Sequence, residues 1–567
     1  MYTDGMTDAQ ASAVMSDDAR VVVVAGAGAG KTRVIERRIR RLIGTKVPAS
    51  KMLAITFTNK AADEMRARLE AVGWRRREMP TIRTFHGFCV TVLRSNPGVI
   101  GRTHSFWIVD EIDRAELIRR AASETGAKHK TLRALEADRA VMQEYARILR
   151  RADAVDFDLI ESGALEVMRQ GGRRRSVYSD VIVDEFQDSS PAQVEILHRL
   201  QAERLFIVGD PRQAIYGFRG ADPTFIRAAF SGAAIDPTCD QPRTWTPIYL
   251  ADNFRSVEPV VRVANTICCD DEPMTSRREG GRVAHGVADV VQVLAELRQR
   301  YAPGEIAVLA RRWSDLETVN VAVRRAIGER GRNPNAPEVA PLFVYRPQDD
   351  VWTTLPARAF LALAQIVRSP HADHLVGRIL QMWPSPDDPP IASLARTAAR
   401  ERRMLSQCAA ETNAVVRAVL SLRERQEGLH VLADDLLRAL DGLVSELGML
   451  RAMVGDMRFM ELDELIAWSV TRSHMDTTRA PPDHVHGMTI HAAKGLEFPA
   501  VVIVNVRDGV FPHDAANARD REEDRRVLYV GATRARDELH LIRDVDVTST
   551  WSPAPTPTRP TPFLPEE

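Results

Sequence analysis

Residues 21–24 are all valine and run directly into Ala25-Gly26-Ala27-Gly28-Ala29-Gly30-Lys31-Thr32, after which 32–42 reads as a basic amphipathic helix. A β-branched run that ends in small residues and opens a helix dictates a sharp turn at the mouth of a buried strand. Small side chains there let backbone N–H groups surround a phosphate, and the helix N-terminus adds positive potential. Lys31 is then placed to reach β- and γ-phosphates, and the Thr32 hydroxyl to ligate Mg²⁺. Ala25 stands where such loops ordinarily carry their first glycine, a departure that costs little while its φ stays negative. A glycine-rich turn with no ligand would explain the glycines but not the Gly-Lys-Thr at a strand-to-helix junction.

The same alternation recurs. Apolar strands are predicted at 52–58, 181–184, 205–209, 306–310 and 501–504, with a helix at 61–69, which implies parallel sheets of the α/β class. Between these, charged and alanine-rich helical sequence takes over at about 93–176 and again at about 371–484. In the second stretch Leu432, Leu436, Leu440, Leu443 and Leu447 hold one face of an ordinary packed helix. The expected organisation is two α/β cores, each interrupted by a helical insertion. Core one comprises 1–92 and 177–247 around insertion 93–176, and core two comprises 248–370 and 485–545 around a reduced insertion, 371–484. The remainder, 546–567, is proline-rich, with six prolines among its last seventeen residues, and is expected to be disordered or extended.

Basic and acidic residues are equal at 77 each, so net charge does not announce a polyanionic partner, although a nucleic-acid groove needs only local charge. The split is more telling: seven lysines stand against seventy arginines, and Lys31, Lys60 and Lys494 lie in the most motif-like stretches. No apolar run is long enough to span a membrane, the first residues carry Asp4 and Asp8 where a secretory signal needs basic charge, and the five cysteines form no CxxC pair. A cytoplasmic protein without structural zinc, iron–sulfur cluster or disulfide framework is expected.

Val181-Ile182-Val183-Asp184-Glu185 ends a hydrophobic strand in adjacent acids. Alternate strand residues point to opposite sides, so such a pair can send one carboxylate to a metal and the other to a water. Asp184 is the expected Mg²⁺ ligand and Glu185 the general base.

With these in place, the chain resembles the UvrD/Rep/PcrA helicases of superfamily one. The resemblance is carried by Asp184-Glu185-Phe186-Gln187-Asp188, by Gly209-Asp210-Pro211-Arg212-Gln213-Ala214-Ile215-Tyr216-Gly217-Phe218-Arg219-Gly220-Ala221, and by Ile55-Thr56-Phe57-Thr58-Asn59-Lys60-Ala61-Ala62. Thr84-Phe85-His86-Gly87, Asp252-Asn253-Phe254-Arg255-Ser256, Thr489-Ile490-His491-Ala492-Ala493-Lys494-Gly495-Leu496-Glu497-Phe498 and Tyr529-Val530-Gly531-Ala532-Thr533-Arg534-Ala535-Arg536 complete it, in the family's order. It implies two RecA-like cores with ATP and Mg²⁺ between them. It also implies that Gln10 reads adenine, Phe254 stacks on it in place of the usual tyrosine, Glu497 contacts ribose and Arg33 lies beside the nucleotide. Gln213 becomes the γ-phosphate sensor, and Arg255 and Arg534 arginine fingers from the second core.

For DNA, Phe57, His86, Tyr216, Phe218 and His491 place rings at strand ends or in loops, where stacking on bases is worth about 1–3 kcal/mol each and ignores sequence. Phe218 replaces the tryptophan common in the family. Thr58, Asn59, Arg219 and Thr489 are the expected polar contacts, holding phosphates without reading bases.

The expected function is therefore an ATP-dependent 3′-to-5′ translocase and helicase on single-stranded and tailed duplex DNA, acting in repair, replication or recombination as a monomer or a dimer. The rivals are a translocase that strips proteins from DNA with little unwinding and a DNA-binding scaffold on an inactive ATPase core. A helicase–nuclease is disfavoured, because only 33 residues follow Arg534. The second insertion carries Met382-Trp383-Pro384-Ser385-Pro386-Asp387-Asp388-Pro389-Pro390 where the family has a glycine-containing turn that grips duplex phosphates. Prolines lack N–H donors and the aspartates repel phosphate, so weak unwinding by the isolated chain is expected, with a loading or partner protein supplying the grip. The alternative surface is Arg400, Arg402 and Arg403.

Overall fold

The computed structural model describes residues 2–75, 78–171, 177–233, 235, 244–268, 272–333, 337–345, 351–369, 372, 375–401, 403–425, 431–455, 462, 465–466, 469, 481–513, 516–545 and 559–564. Two six-stranded sheets organise them. The first is built from β1 (Arg20–Ala25), β2 (Met52–Thr56), β3 (Thr81–Thr84), β4 (Asp180–Val183), β5 (Arg204–Gly209) and β6 (Thr246–Leu250), in the order β3-β2-β4-β5-β1-β6, every pairing parallel. The second comprises β7 (Arg282–Ala288), β8 (Ile306–Ala310), β9 (Leu342–Val344), β10 (Val485–Thr489), β11 (Phe498–Val504) and β12 (Ala535–Val545), in the order β7-β12-β11-β8-β10-β9, again all parallel. Every residue of β1, β2, β4 and β8 is buried. Covering helices on both faces explain why these strands read as unbroken apolar runs and not as alternating ones.

Chemistry gathers at the carboxyl ends of adjacent strands. β1 lies beside β5 and β5 beside β4, so the loops after Ala25, Val183 and Gly209 emerge together.

The inter-core boundary differs from the expectation. Residues 246–250 pair with β1 and complete the first sheet, so the chain enters the second core only after Leu250. The second insertion likewise begins earlier than 371. Trp352, Phe360 and Leu363, the last two in the helix Leu355–Arg368, share one apolar core with Leu93, Phe106, Trp107 and Ile118 of the first insertion. The leucine stripe is two short helices, Ala433–Ala439 and Leu447–Val454, separated by Gly442 at φ 72°, and Leu443 is exposed. Its spacing survives a break because a left-handed glycine reverses the chain without disturbing the residues already buried on either side. Nor is the proline-rich stretch uniformly extended and unpacked: within 559–564, Phe563 is buried in the core of the second sheet.

The two insertions also meet through polar groups. Asp113, buried in the first, accepts from Arg358 at 3.1 Å and from Nη1 and Nη2 of Arg378 in the second. Gln365 accepts from the backbone N–H of Ile108 at 3.1 Å. Removing one partner of a buried ion pair leaves the others uncompensated, which costs about 3 kcal/mol or more. Asp113→Ala should therefore lower the stability of the joined insertions by about that amount, measured by denaturant unfolding, with Asp113→Asn less damaging.

Candidate nucleotide cleft and DNA track

The phosphate loop depends on two glycines in the left-handed region. Gly28 has φ 71° and Gly30, which caps the helix Lys31–Gly44, has φ 79°. A Cβ on Gly28 would sit 2.6 Å from Arg255 Cβ, so only glycine allows the second core to approach here. Ala25 ends β1 and is absent from the positive-φ residues, so its methyl group is accommodated. Gly26, Ala27, Ala29 and Thr32 complete the turn, with Ala27 and Ala29 buried beneath it.

Across this loop Lys31 Nζ lies 3.8 Å from Glu185 Oε1. Glu185 adopts φ 50°, a left-handed conformation unusual for a side chain of its size, and Gln187 Nε2 donates to its carboxylate. Gln187 is itself fixed, because its Oε1 accepts from Asp210 N at 2.9 Å. The adjacent acids are pushed apart electrostatically. Burial, together with the charge of Glu185, raises the Asp184 carboxyl above its ordinary range. Burial also acts to raise Glu185, but the ammonium groups of Lys31 and Lys494 prevail and hold it below. The Thr32 hydroxyl and the Asp184 carboxylate are the oxygen groups of this region that could hold a divalent cation. Such a sparse oxygen set suits Mg²⁺, which keeps waters and takes its other ligands from phosphates, and a dication would relieve the desolvated Asp184.

The second core reaches over the loop from the other side. Asn253 Nδ2 donates to Ala27 O at 2.7 Å and Phe254 N to Gly28 O at 3.0 Å, while the Phe254 ring stays 45% exposed. Arg534 is buried and donates to Gln213 Oε1 at 3.3 Å and to Leu496 O at 3.1 Å. Burial and the like charge of Arg255 lower its guanidinium to about 9. Gln213 is oriented from below, donating to Asp210 Oδ2 at 2.9 Å. Arg255 pairs with Glu497 at 2.6 Å, so two residues expected at opposite ends of a nucleotide are held to each other.

Gln10 is buried, with its Oε1 accepting from Thr7 N and its Nε2 donating to Ala29 O at 2.9 Å, so it braces the phosphate loop. Arg33 reaches the carbonyl of Asp4 at 3.2 Å.

On the face flanking this cleft four expected rings cluster. Phe57 stacks on Tyr216 with centroids 5.1 Å apart, and Phe218, 68% exposed, lies 6.1 Å from Tyr216 and 5.8 Å from His491. The Arg219 guanidinium stands 5.7 Å from both Tyr216 and Phe218. Burial lowers His491 to about 4, so this ring is neutral at physiological pH. His86 does not join them; it packs edge-on against Phe157 of the first insertion, 5.2 Å away, where burial depresses its pKa. Thr58 caps the helix Asn59–Ala71 by accepting from Ala61 N, Asn59 is buried, and the Thr489 hydroxyl accepts from Ala492 N. The two threonines serve local geometry first, because a short polar side chain beside a turn finds its own backbone nearer than any ligand.

Three contributors stand within the quoted motifs but carry no role in the sequence reading. Gln187 orients Glu185. Arg212, buried against Asp210 at 3.0 Å with its guanidinium 5.4 Å from the Tyr529 ring, also donates to Glu272 O, tying the sensor loop to the second core. Lys494 crosses from the second core to pair with Asp188 and to donate to Gln213 O at 2.8 Å, and its ammonium lies 4.7 Å from the centre of the Tyr216 ring. Its rarity among seventy arginines was the available signal: an ammonium fits as a compact charge where a planar fork would not.

Residues 6–138 and 124–231 match the UvrD/REP helicase N-terminal domain and residues 403–544 match the UvrD-like helicase C-terminal domain. The chain therefore belongs to the UvrD/Rep helicase family, a class of ATP-using enzymes that act on DNA. Among its relatives are ATP-dependent DNA helicase UvrD1 of Mycobacterium tuberculosis, 28% identical over 97% of this chain and 83% of the relative. ATP-dependent DNA helicase PcrA of Bacillus subtilis is 27% identical over 95% and 82%, and a probable DNA helicase II homolog of Mycoplasma capricolum is 26% identical over 95% and 84%. Among the described residues no helix is long and apolar enough to cross a membrane.

Lys31→Ala should reduce ATP hydrolysis by about 10²-fold or more while leaving the unfolding transition in place, since the ammonium serves a ligand and no core. Glu185→Gln should retain nucleotide affinity and lose about 10²–10⁴ in turnover, and paired equilibrium-binding and steady-state measurements separate the two.

Proposed function

We propose that this chain is an ATP-driven 3′-to-5′ translocase on single-stranded DNA. The observation that carries the reading is Lys494. It pairs with Asp188, donates to the Gln213 carbonyl and helps hold Glu185, the partner of Lys31, in its ionised form, and the same ammonium lies over Tyr216 in the ring cluster. One side chain thus touches both the nucleotide cleft and the DNA track.

In this reading the phosphate-loop amides and Lys31 bind the phosphates of ATP, and Thr32 and Asp184 hold Mg²⁺, which neutralises phosphate charge when bound. Glu185, kept ionised by Lys31 and Lys494, takes the proton of the attacking water. Arg534 and Arg255 turn from their protein partners to the γ-phosphate, and Gln213 reports its presence along 213–219 to the rings. Loss of that phosphate loosens the contacts between the cores, and bases stacked on Phe57, Tyr216 and Phe218 advance as the cleft alternates. The 3′-to-5′ direction rests on the family resemblance alone.

Duplex unwinding is the weaker activity in this proposal. Asp388, in the loop expected to meet the duplex, is tied inward: it accepts from Ser385 N at 2.7 Å, from Thr412 at 2.7 Å and from Asn413 at 2.8 Å. Asp388 therefore organises its loop, while the neighbouring Asp387 is exposed and presents the negative charge. Arg403 is engaged by Glu401 and Glu411 and Arg400 by Glu401, which weakens the alternative basic surface; Arg402 lies outside the described residues.

Phe218→Ala should weaken single-stranded DNA binding roughly tenfold and reduce DNA stimulation of the ATPase, read by titrating an oligothymidylate under both assays. On one preparation, DNA-stimulated ATPase should be robust while unwinding of a 3′-tailed duplex is slow; rapid unwinding by the isolated chain would overturn this part of the proposal.

A further inference from the structure

Residues 559–564 fold back beside the DNA track without entering it. Asp508 N donates to Arg559 O at 3.1 Å, Pro560 forms an antiparallel bridge with Arg507, and the Thr561 hydroxyl donates to Phe511 O. Phe563 is buried in the same core as Phe511, Val527 and Leu528, and the Arg525 guanidinium lies 4.9 Å from its ring centre. These contacts fall on two neighbours, the loop 507–513 and the helix Ala518–Ala532.

That loop ends in a wall of the cleft. His513 Nδ1 lies 2.6 Å from Asp524 Oδ2, its backbone N–H donates to the same oxygen at 2.9 Å, and Asp524 Oδ1 accepts from Arg311 at 3.1 Å. His513, Asp524 and Arg311 line a cleft of about 780 Å³ together with Phe218 and His491. The chain of contact therefore runs from Phe563 and Thr561 through the carbonyl of Phe511 to His513, and from there to Arg311 beside the exposed platform.

We propose that 559–564 is a strap that positions this wall for single-stranded DNA, with Phe563 as its buried foot and Thr561 as its link to the loop. The inference rests on the reading that the cleft beside Phe218 takes DNA. A wall already ordered when the strand arrives loses less conformational freedom on binding, so the strap acts on DNA affinity and not on the chemistry of ATP. Thr561 and Phe563 are positioning residues, since neither lines the cleft.

The test uses the full chain and an oligothymidylate, with Thr561→Val, Phe563→Ala, Phe563→Leu and Phe218→Ala compared. Thr561→Val keeps the shape and removes two hydrogen bonds, the one donated to Phe511 O and the one accepted from Phe563 N at 3.3 Å; it should raise the DNA concentration for half-maximal ATPase by about three- to tenfold. Phe563→Ala should raise it by about tenfold or more, Phe563→Leu should restore most of the loss, and maximal turnover and DNA-free nucleotide affinity should stay at the parent level. If Phe563→Ala melts early, Thr561→Val decides alone. Parent-like DNA affinity in Thr561→Val and Phe563→Ala, with Phe218→Ala weakened, overturns the strap and leaves the DNA track standing. An equal fall in DNA and nucleotide affinity also overturns it, as the sign of a merely structural role. Undiminished affinity in Phe218→Ala would instead refute the track on which the proposal rests.

Discussion

The pairing of Lys494 with Asp188 sets the relation between the two sheets. An ammonium that leaves water must be matched by a carboxylate at close range, and here the two come from different cores. Burial drives Asp188 up to about 6 even against the attraction of Lys494, so the pair persists because the surrounding geometry holds it, with Gln213 O sharing the ammonium. Around this pair the other crossings fall into place: Asn253 and Phe254 on the carbonyls of the phosphate loop, Tyr529 on Asp210 at 3.2 Å, and Arg526 on Ala214 O at 2.6 Å. Backbone carbonyls are the commonest acceptors, which lets the second core grip the first without consuming Lys31 or Asp184.

Legibility in the sequence followed the range of the interaction. The strand 306–310 matches its predicted limits, and the valines 21–24 form the body of β1, because a fully buried parallel strand demands consecutive apolar residues, a local signal. The assignment of 246–250 was missed because strand pairing is long-range: nothing in Thr-Pro-Ile-Tyr-Leu states that its neighbour is β1. The division of the leucine stripe turned on Gly442, whose left-handed φ is invisible to a periodicity count.

The candidate site divides in the same way. The residues of the phosphate loop and the acids 184 and 185 could be read from their strands and turns, since each depends on its immediate neighbours. Phe57, the pair Tyr216 and Phe218, and His491 come from three separate stretches and meet only in the fold, whereas His86, chosen on equal grounds, faces Phe157. Gln187 and Arg212 were passed over because their work is to orient other side chains, and that work leaves no spacing pattern to find.

The apolar core shared by the two insertions has a mechanical consequence. Trp352 and Phe360 on one side and Trp107 and Ile118 on the other cannot separate without exposing large apolar surface, and Asp113 with its two arginines resists the same movement. Parting the insertions would have to expose that apolar surface and strip Asp113 of its cations in the same event, so the joint fastens the two halves of the chain at a place other than the phosphate loop.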